Sequence, residues 1–435
     1  VAASRTAPIY VLRVLPEGAQ KPTAIDVSDR VTSLTSEDGE VVDKLALEVS
    51  NFTYENFEQP TFVTGGILEF SYGYSDGNMS PPRQAVITKV TGGAKLKIEA
   101  TGKAAMMNTV PRVRGFRLMK RSDVVRQIAD ENGYASEAQF IQDTEIVLDQ
   151  ITQARLTDAQ LLRNLAQREG YEFFIDYRGL HFHPRDTAQA PRRKFTYYTD
   201  PGQGDILAPP EVKNDITAKA GVVAAKGIDP LTHQPIDVRA DNDSTAGRPG
   251  LGTTLALESS NDPSSAVSAA PVGASTRIVA VDAQNGVKTE RRVAQDAVIP
   301  TTEKTQAAAE RQAKGIFQKL QFSAVQLAFS AVGDPLMEAK TVIEIDGLGR
   351  NLSGRYYVTK VVHKLGADYR MDIECRRDNR ALPTGKPTQS KADVNKKNAP
   401  ETGGASGTEM TATKTVNSQT GQTETKYVPK GSVAK

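Results

Sequence analysis

One cysteine, Cys375, and four histidines in 435 residues leave little material for several large classes of chemistry. A lone thiol excludes a disulfide framework and any cysteine-based zinc ribbon. No apolar run approaches the ~18–20 residues of a membrane-spanning helix, so no membrane insertion is expected. Positive charge is not in excess either. The 54 Lys+Arg against 52 Asp+Glu give +2, whereas a dedicated nucleic-acid binder shows a basic surplus; no specific nucleic-acid binding is expected. The first fourteen residues carry Arg5 and Arg13 but no apolar stretch followed by a cleavage site, so the expectation is a soluble, unprocessed chain. Apolar residues at 38% suffice for real cores, and the length suits roughly two to four domains.

What is present is mostly period-2 alternation. Leu45, Leu47 and Val49, then Leu68, Phe70 and Tyr72, then Leu96, Ile98 and Ala100 alternate with polar neighbours, which puts one face of each strand on a core. Residues 1–105 therefore read as a first β-region. Residues 106–185 change period and read as an inserted α/β module. Ser122 is the expected N-cap of one helix, with Val125, Ile128 and Ala129 on its buried face. Thr157 and Gln160 have capping-box spacing for a second, with Leu161, Leu162, Leu165 and Ala166 as the buried stripe and Gly170 as its stop. A hairpin turning at Arg178-Gly179 follows. Residues 186–240 are assigned as a return to the first β-region with connecting strands, and 241–275, rich in Ser, Gly and Pro, as a linker or long loop. Residues 276–380 form a second β-region, entered through a helix capped by Thr302 and buried on Ala309, Ala313, Ile316 and Leu320. The fold class expected is mainly β (α+β): two similar β-domains, an α/β insertion and a low-complexity tail over 381–435.

The two β-regions share a pattern. Val86-Ile87-Thr88-Lys89-Val90 precedes a glycine turn and Lys95 to Ala100. Tyr357-Val358-Thr359-Lys360-Val361 precedes Gly366-Ala367-Asp368 and Tyr369 to Cys375. Upstream lie Ile67-Leu68-Glu69-Phe70 and Val342-Ile343-Glu344-Ile345. Either a common Lys-edged hairpin occurs twice, or a β-domain is duplicated. Three copies of a duplicated chain present six equivalent units, which lets three-fold machinery abut a six-fold ring.

Motifs for chemistry are absent. No nucleophile elbow accompanies the histidines. Gly247-Arg248-Pro249-Gly250-Leu251-Gly252 follows no strand and opens no helix, and there is no phosphate-binding loop. Gly347-Leu348-Gly349 and Gly354 read as turns. His181 and His183 share a strand face with Asp186 nearby, but satisfied histidines on a half-buried hairpin are the preferred reading over a metal site. His363 reads as a packing or hydrogen-bonding residue. The aromatic residues Phe70, Tyr72, Tyr74, Phe173, Tyr356 and Tyr357 read as core or interface. No catalytic, cofactor-binding or metal-binding residue is assigned, and no enzymatic activity is expected.

Two stretches carry a family resemblance. One runs from Ser122-Asp123-Val124-Val125-Arg126-Gln127-Ile128-Ala129 to Gly133-Tyr134, then Thr157 to Leu162, Leu165-Ala166, Gly170 to Phe174 and Leu180-His181-Phe182. The other combines an Ala-rich helix, Gly333-Asp334-Pro335, Leu352 to Val358 and Val361-Val362-His363. Over about residues 8–380 the chain resembles the phage late control gene D proteins. These are baseplate hubs of contractile tails, related to the N-terminal half of the type VI secretion spike protein VgrG. The resemblance implies a homotrimer whose chain carries two tube-like β-barrel domains with an α/β insertion. It implies a structural tube–spike adaptor in the virion tail baseplate, assembled in the host bacterial cytoplasm. The partners implied are the tail tube protein, a spike protein and other baseplate subunits, with no cofactor. A different class stays open: a cell-wall-binding or cell-wall-degrading tail protein, since Asp123 to Gly133 is faintly similar to a LysM helix.

Chains of the VgrG type continue into a barrel and a β-helical needle, whereas a low-complexity tail follows here, so the spike is expected to be a separate polypeptide. The last 55 residues hold one aromatic, Tyr427, and eight lysines against four acidic residues. Too polar to offset its ordering entropy alone, the tail is expected to be disordered by itself. Thr423 to Val428, bounded by Pro429, is its best candidate for a strand added to a partner, with Tyr427 and Val428 as the contact residues.

Overall fold

Alternation becomes strands across most of the chain. The computed structural model describes residues 7–15, 24–40, 42–58, 61–197, 204–214, 220–229, 232–241, 251, 277–281, 288–292, 295–301, 303, 305–322, 325–348, 352–378, 410–416 and 423–429. The first β-region holds β1 (Pro8–Leu15), β2 (Ile25–Asp26), β3 (Val31–Asp38), β4 (Lys44–Ser50), the one-turn α1 (Glu55–Glu58), β5 (Ile67–Tyr74), β6 (Arg83–Gly92) and β7 (Lys95–Gly102). The insertion holds β8 (Arg112–Lys120), α2 (Arg121–Glu131), β9 (Gln139–Ile141), β10 (Val147–Leu156), α3 (Asp158–Glu169), β11 (Tyr171–Ile175) and β12 (Leu180–Pro184). Then come β13 (Lys194–Thr196), β14 (Glu211–Asn214), β15 (Ala220–Ile228), β16 (Pro235–Ala240), β17 (Arg277–Val281), β18 (Lys288–Arg292), β19 (Gln295–Pro300) and α4 (Gln306–Gln321). The second β-region ends with β20 (Val325–Val332), β21 (Val342–Asp346), β22 (Gly354–Leu365) and β23 (Tyr369–Arg377). The fold is mainly β, and among the described residues no helix is long and apolar enough to cross a membrane.

Strands of both β-regions share one 13-stranded sheet, ordered β14-β20-β23-β22-β3-β4-β7-β6-β5-β1-β2, with β21 on β22 and β13 on β21. Inward parity builds two cores. Leu12, Leu34, Leu47, Leu68, Tyr72 and Ile98 meet in the first; Phe195, Phe329, Ile345, Tyr356, Val361 and Ile373 meet in the second. Each fully buried side chain of this size contributes about 1.5–3 kcal/mol. A further sheet, β16-β15-β19, lies under α4.

The assignment of residues 186–240 to the first β-region does not hold. β13 pairs parallel with β21 and β14 pairs antiparallel with β20, so both complete the second region. Phe195 of β13 is fully buried in the second core. Neither short strand shows enough alternation to reveal its partner. Leu251, expected in a linker, is buried against Phe322, Val342 and Tyr357, and its amide donates to Asp378 Oδ1 (2.9 Å).

In the insertion, Thr157 and Gln160 form the expected reciprocal cap, with Gln160 N on Thr157 Oγ1 (3.2 Å) and Thr157 N on Gln160 Oε1 (3.0 Å). Gly170 ends α3 at φ 70°. Ser122 is not a cap: it lies inside α2, fully buried, and exchanges hydrogen bonds with Thr144. The helix starts after Lys120, whose amide donates to Asp123 Oδ2 (3.3 Å). The expected cap Thr302 lies outside the described residues; Thr305, one turn later, caps α4. Phe317 is the large residue buried on α4 beside Ala309 and Ala313, while Ile316 and Leu320 are only half-buried. Gly179 is required by its surroundings: with φ 154°, a Cβ there would stand 1.9 Å from Ala138 O.

Residues 384–435 form a separate unit. Within it β24 (Met410–Val416) and β25 (Thr423–Pro429) pair antiparallel, Thr411 opposite Val428 and Ala412 opposite Tyr427. The tail thus contains a hairpin where disorder was expected, because β-branched Thr and Val recur in both halves and favour strand pairing.

Candidate assembly interface

Backbone register makes the sequence repeat concrete. Ile87, Lys89 and Val90 of β6 stand opposite Ala100, Glu99 and Ile98 of β7, with a bulge at Thr88. Val358, Lys360 and Val361 of β22 stand opposite Cys375, Glu374 and Ile373 of β23, with a bulge at Thr359. Each bulged threonine donates to the same carbonyl, Thr88 to Glu99 O (3.0 Å) and Thr359 to Glu374 O (3.1 Å). Each following lysine reaches the same glutamate, at 3.7 Å in both cases. The preceding strands match as well: Ile67 faces Val86, and Val342 faces Tyr357. The order β3-β4-β7-β6-β5-β1 therefore parallels β14-β20-β23-β22-β21-β13. One strand departs from the rule, since β1 runs antiparallel to β5 while β13 runs parallel to β21.

The repeats join where the end of β22 pairs with β3, from Val361 opposite Asp38 to Leu365 opposite Leu34. A buried ion cluster sits there. Asp38 accepts from Lys340 Nζ (2.9 Å) and from Ala339 N (2.9 Å). Arg83 lies 3.7 Å from Asp38 and 3.4 Å from Glu338. Glu338 also takes Arg178 (3.1 Å) from the insertion and Arg192 (3.5 Å). Burial works against the Asp38 carboxylate, yet the Lys340 and Arg83 charges hold its pKa below the usual range. Breaking one partner of such a cluster leaves uncompensated buried charge, which is why it holds geometry firmly. Asp43 differs: burial, then the nearby Asp38 charge, pushes it up to about 7. Its Oδ1 has no hydrogen-bond partner. It lines a cavity of about 380 Å³ together with Arg83, Asp176 and Arg178.

Among the described residues the 13-stranded sheet has several open strand edges, two of them at positions that the repeat relates to its own junction. β14 ends the sheet, and β6 beyond Ile87 has β7 on one side only. Val212 on β14 is 38% exposed.

The residues singled out from sequence fall into structural roles. His181 bonds Asp176 Oδ1 (3.0 Å) and stacks between Phe140 and Phe174. His183 Nδ1 donates to Pro184 O (2.8 Å). Asp186 accepts from Ala188 N instead of meeting them. Among the described residues no cluster of His, Cys, Asp and Glu has the geometry to hold a metal. His363 is fully buried at the repeat junction. The Tyr369 hydroxyl donates to its Nδ1 (2.8 Å) and its Nε2–H donates to Met337 O (3.0 Å). Phe70, Tyr72, Tyr74, Tyr356 and Tyr357 are buried, Phe173 half-buried. The Tyr74 hydroxyl crosses the junction to Gly333 O (2.9 Å). Gly347 sits at φ 87° and Gly354 at φ 135°; Gly349 and the glycines at 247, 250 and 252 lie outside the described residues. Sequence reasoning missed the ion cluster, whose one local signal is Arg83 on the inward parity of β6.

No protein-family profile and no curated protein matches the sequence. Solved structures do. A tail protein from Neisseria meningitidis MC58 is 11% identical, with a TM-score of 0.58, over 87% of this chain and 100% of that one. The 43 kDa tail protein of prophage MuSo2 from Shewanella oneidensis is 12% identical, with a TM-score of 0.57, over 86% of this chain and 100% of that one. The chain has the fold of these tail proteins.

Proposed function

We propose that this protein is a structural baseplate hub of a contractile phage tail or related injection device. It acts as a homotrimer that adapts the six-fold tail tube to a three-fold spike. The in-register duplication of five strands carries this reading, because three copies then offer six equivalent units to a six-fold neighbour. The likeness to solved tail proteins supports the same setting. The protein performs no catalysis and needs no cofactor in this role; its work is shape. It resides in the virion baseplate after assembly in the bacterial cytoplasm, against tail tube protein, a separate spike and other baseplate subunits. The tail beyond residue 380 tethers the spike or a neighbouring subunit, with Tyr427 and Val428 as contact residues on β25.

The native mass of the purified chain tests the hub reading. Three chains, and three-fold symmetry in particles, are expected; a stable monomer in the particle, or six copies per ring, overturns it. Deleting residues 386–435 tests the tether. The trimer should persist while spike or neighbour incorporation falls, and full occupancy with unchanged infectivity overturns that role.

A further inference from the structure

The junction inside the chain uses the first strand of the first repeat, β3, and the fourth strand of the second, β22. Among the described residues the complementary half stays unpaired: the first strand of the second repeat, β14, and the fourth strand of the first, β6, beyond Ile87. They stand seven strand positions apart along the sheet and do not pair with each other within the chain. An open edge invites pairing with another chain. The bulge at Thr88 does not protect β6, because its counterpart at Thr359 coexists with pairing of Val361 to Leu365 on β3.

Resting on the trimeric hub reading, we infer that copies of this chain join edge to edge, β14 of one copy pairing antiparallel with the end of β6 of the next. The sheet thereby continues across an interface whose geometry the β22–β3 junction already sets. Register follows from the repeat. Ser36 and Val212 both face the equivalent leucines, Leu45 and Leu327. Val361, Val362 and His363 face Asp38, Glu37 and Ser36. Transferred, Val90 faces Asn214, Thr91 faces Lys213 and Gly92 faces Val212 of the next copy. Pairing would cover the exposed Val212 and the half-buried Val90, as it covers Val361. One difference is built in. Inside the chain Lys360 reaches Glu37 at 3.5 Å, whereas Lys89 would meet Lys213 in the same place. The junction between copies thus lacks that ion pair and is the weaker of the two.

Cysteine cross-linking of the full chain tests the register, with Cys375 buried and out of the way. Directly opposed antiparallel residues have Cα separations that suit a disulfide. Oxidised Thr91→Cys/Lys213→Cys protein should run as covalent species up to three chains, and Thr91→Cys/Glu211→Cys at least tenfold less. Each single-cysteine variant should keep the native mass, which certifies folding. Trimers that fail to cross-link at 91/213, or that cross-link equally at 91/211, overturn the edge pairing while the trimeric reading stands. A monomer for the unmodified chain overturns both. Lys213→Glu supplies an independent arm: it should restore the missing pair and lower the concentration of half-dissociation severalfold. A Lys213→Glu chain that dissociates at the same or higher concentration contradicts the placement of Lys213 opposite Lys89.

Discussion

The two hairpins β6–β7 and β22–β23 have one backbone and two environments. Thr88 is exposed where Thr359 is 3% exposed, and Val90 is half-buried where Val361 is fully buried. Gly92 lies on the surface where His363 fills the interior. The tight turn before the sheet takes Gly65 at φ 91° in one repeat and Lys340 at φ 61° in the other. At the start of the strand, Arg83 of the first repeat corresponds to Gly354 of the second. The shared residues are those that fix register: the bulged threonine, the lysine after it and the alternating core. The differing ones gather where β3 and the insertion pack against the sheet. Lys340 illustrates the trade. A non-glycine residue in the left-handed region is strained by about 1–3 kcal/mol, and its bond to Asp38 offsets that.

The largest break in this comparison should come at Arg83. Truncation by Arg83→Ala leaves Asp38 and Glu338 buried with fewer positive partners, and about 3–5 kcal/mol of unfolding free energy should be lost. The corresponding Gly354→Ala should cost about 1–3 kcal/mol, for its φ of 135° and a Cβ that would stand 3.3 Å from Arg377 Nη1. Denaturant midpoints of the two variants decide this. A loss below about 1 kcal/mol at Arg83 would show that the cluster does not hold the repeats together.

Acid should act next, through the histidine that only the second repeat contains. Burial, with the Arg83 charge, lowers His363 to about 4. Unfolded, a histidine titrates near ~6.5, so the unfolded chain binds more protons between these values. Stability from this group is complete above pH ~6.5 and is lost as pH falls toward 4, by on the order of 3 kcal/mol. Asp43 has the opposite sign: pushed up to about 7, it favours the folded state at low pH and withdraws that help as pH rises to 7. Melting curves of His363→Gln and Asp43→Asn from pH 4 to 8 should tilt in opposite directions. Parallel curves would remove both assignments.

Gly65→Ala should cost about 1 kcal/mol or slightly more, because alanine is strained at positive φ, and its thermal midpoint is sufficient to check it. The second repeat meets the same backbone demand with a lysine and an ion pair, so glycine alone does not mark this turn.

Much of this architecture was legible from sequence, and the gaps have physical causes. Alternation located β4, β5 and β7, and the Thr-Lys pattern located the equivalent hairpins β6–β7 and β22–β23. The short strands β13 and β14 escaped because three or four residues carry no periodicity, which misassigned residues 186–240. Two helix starts were misread for a related reason: Ser122 and Thr302 satisfy the capping pattern locally, but tertiary partners or a second threonine one turn on decide the cap. The ion cluster was invisible because Arg83–Glu338 and Asp38–Lys340 are 255 and 302 residues apart. The two free edges of the proposed interface appear only once β14 is paired with β20.

The smallest effect separates the environments most directly. Thr88→Val and Thr359→Val keep shape and remove one donated hydrogen bond each, to Glu99 O and Glu374 O. At the buried Thr359 no water can replace the hydroxyl, so about 1 kcal/mol should be lost at any protein concentration. At the exposed Thr88 water takes over the carbonyl, and the isolated chain should lose less than about 0.5 kcal/mol. If β14 of a second copy covers β6, the Thr88 site becomes enclosed as Thr359 already is. The cost of Thr88→Val should then rise toward that of Thr359→Val as concentration drives assembly, and denaturation midpoints measured across a dilution series would show the two values converging. A Thr88→Val cost that stays flat across the series, in protein shown to be assembled at the upper end, would mean that the edge of β6 remains open to water in the oligomer.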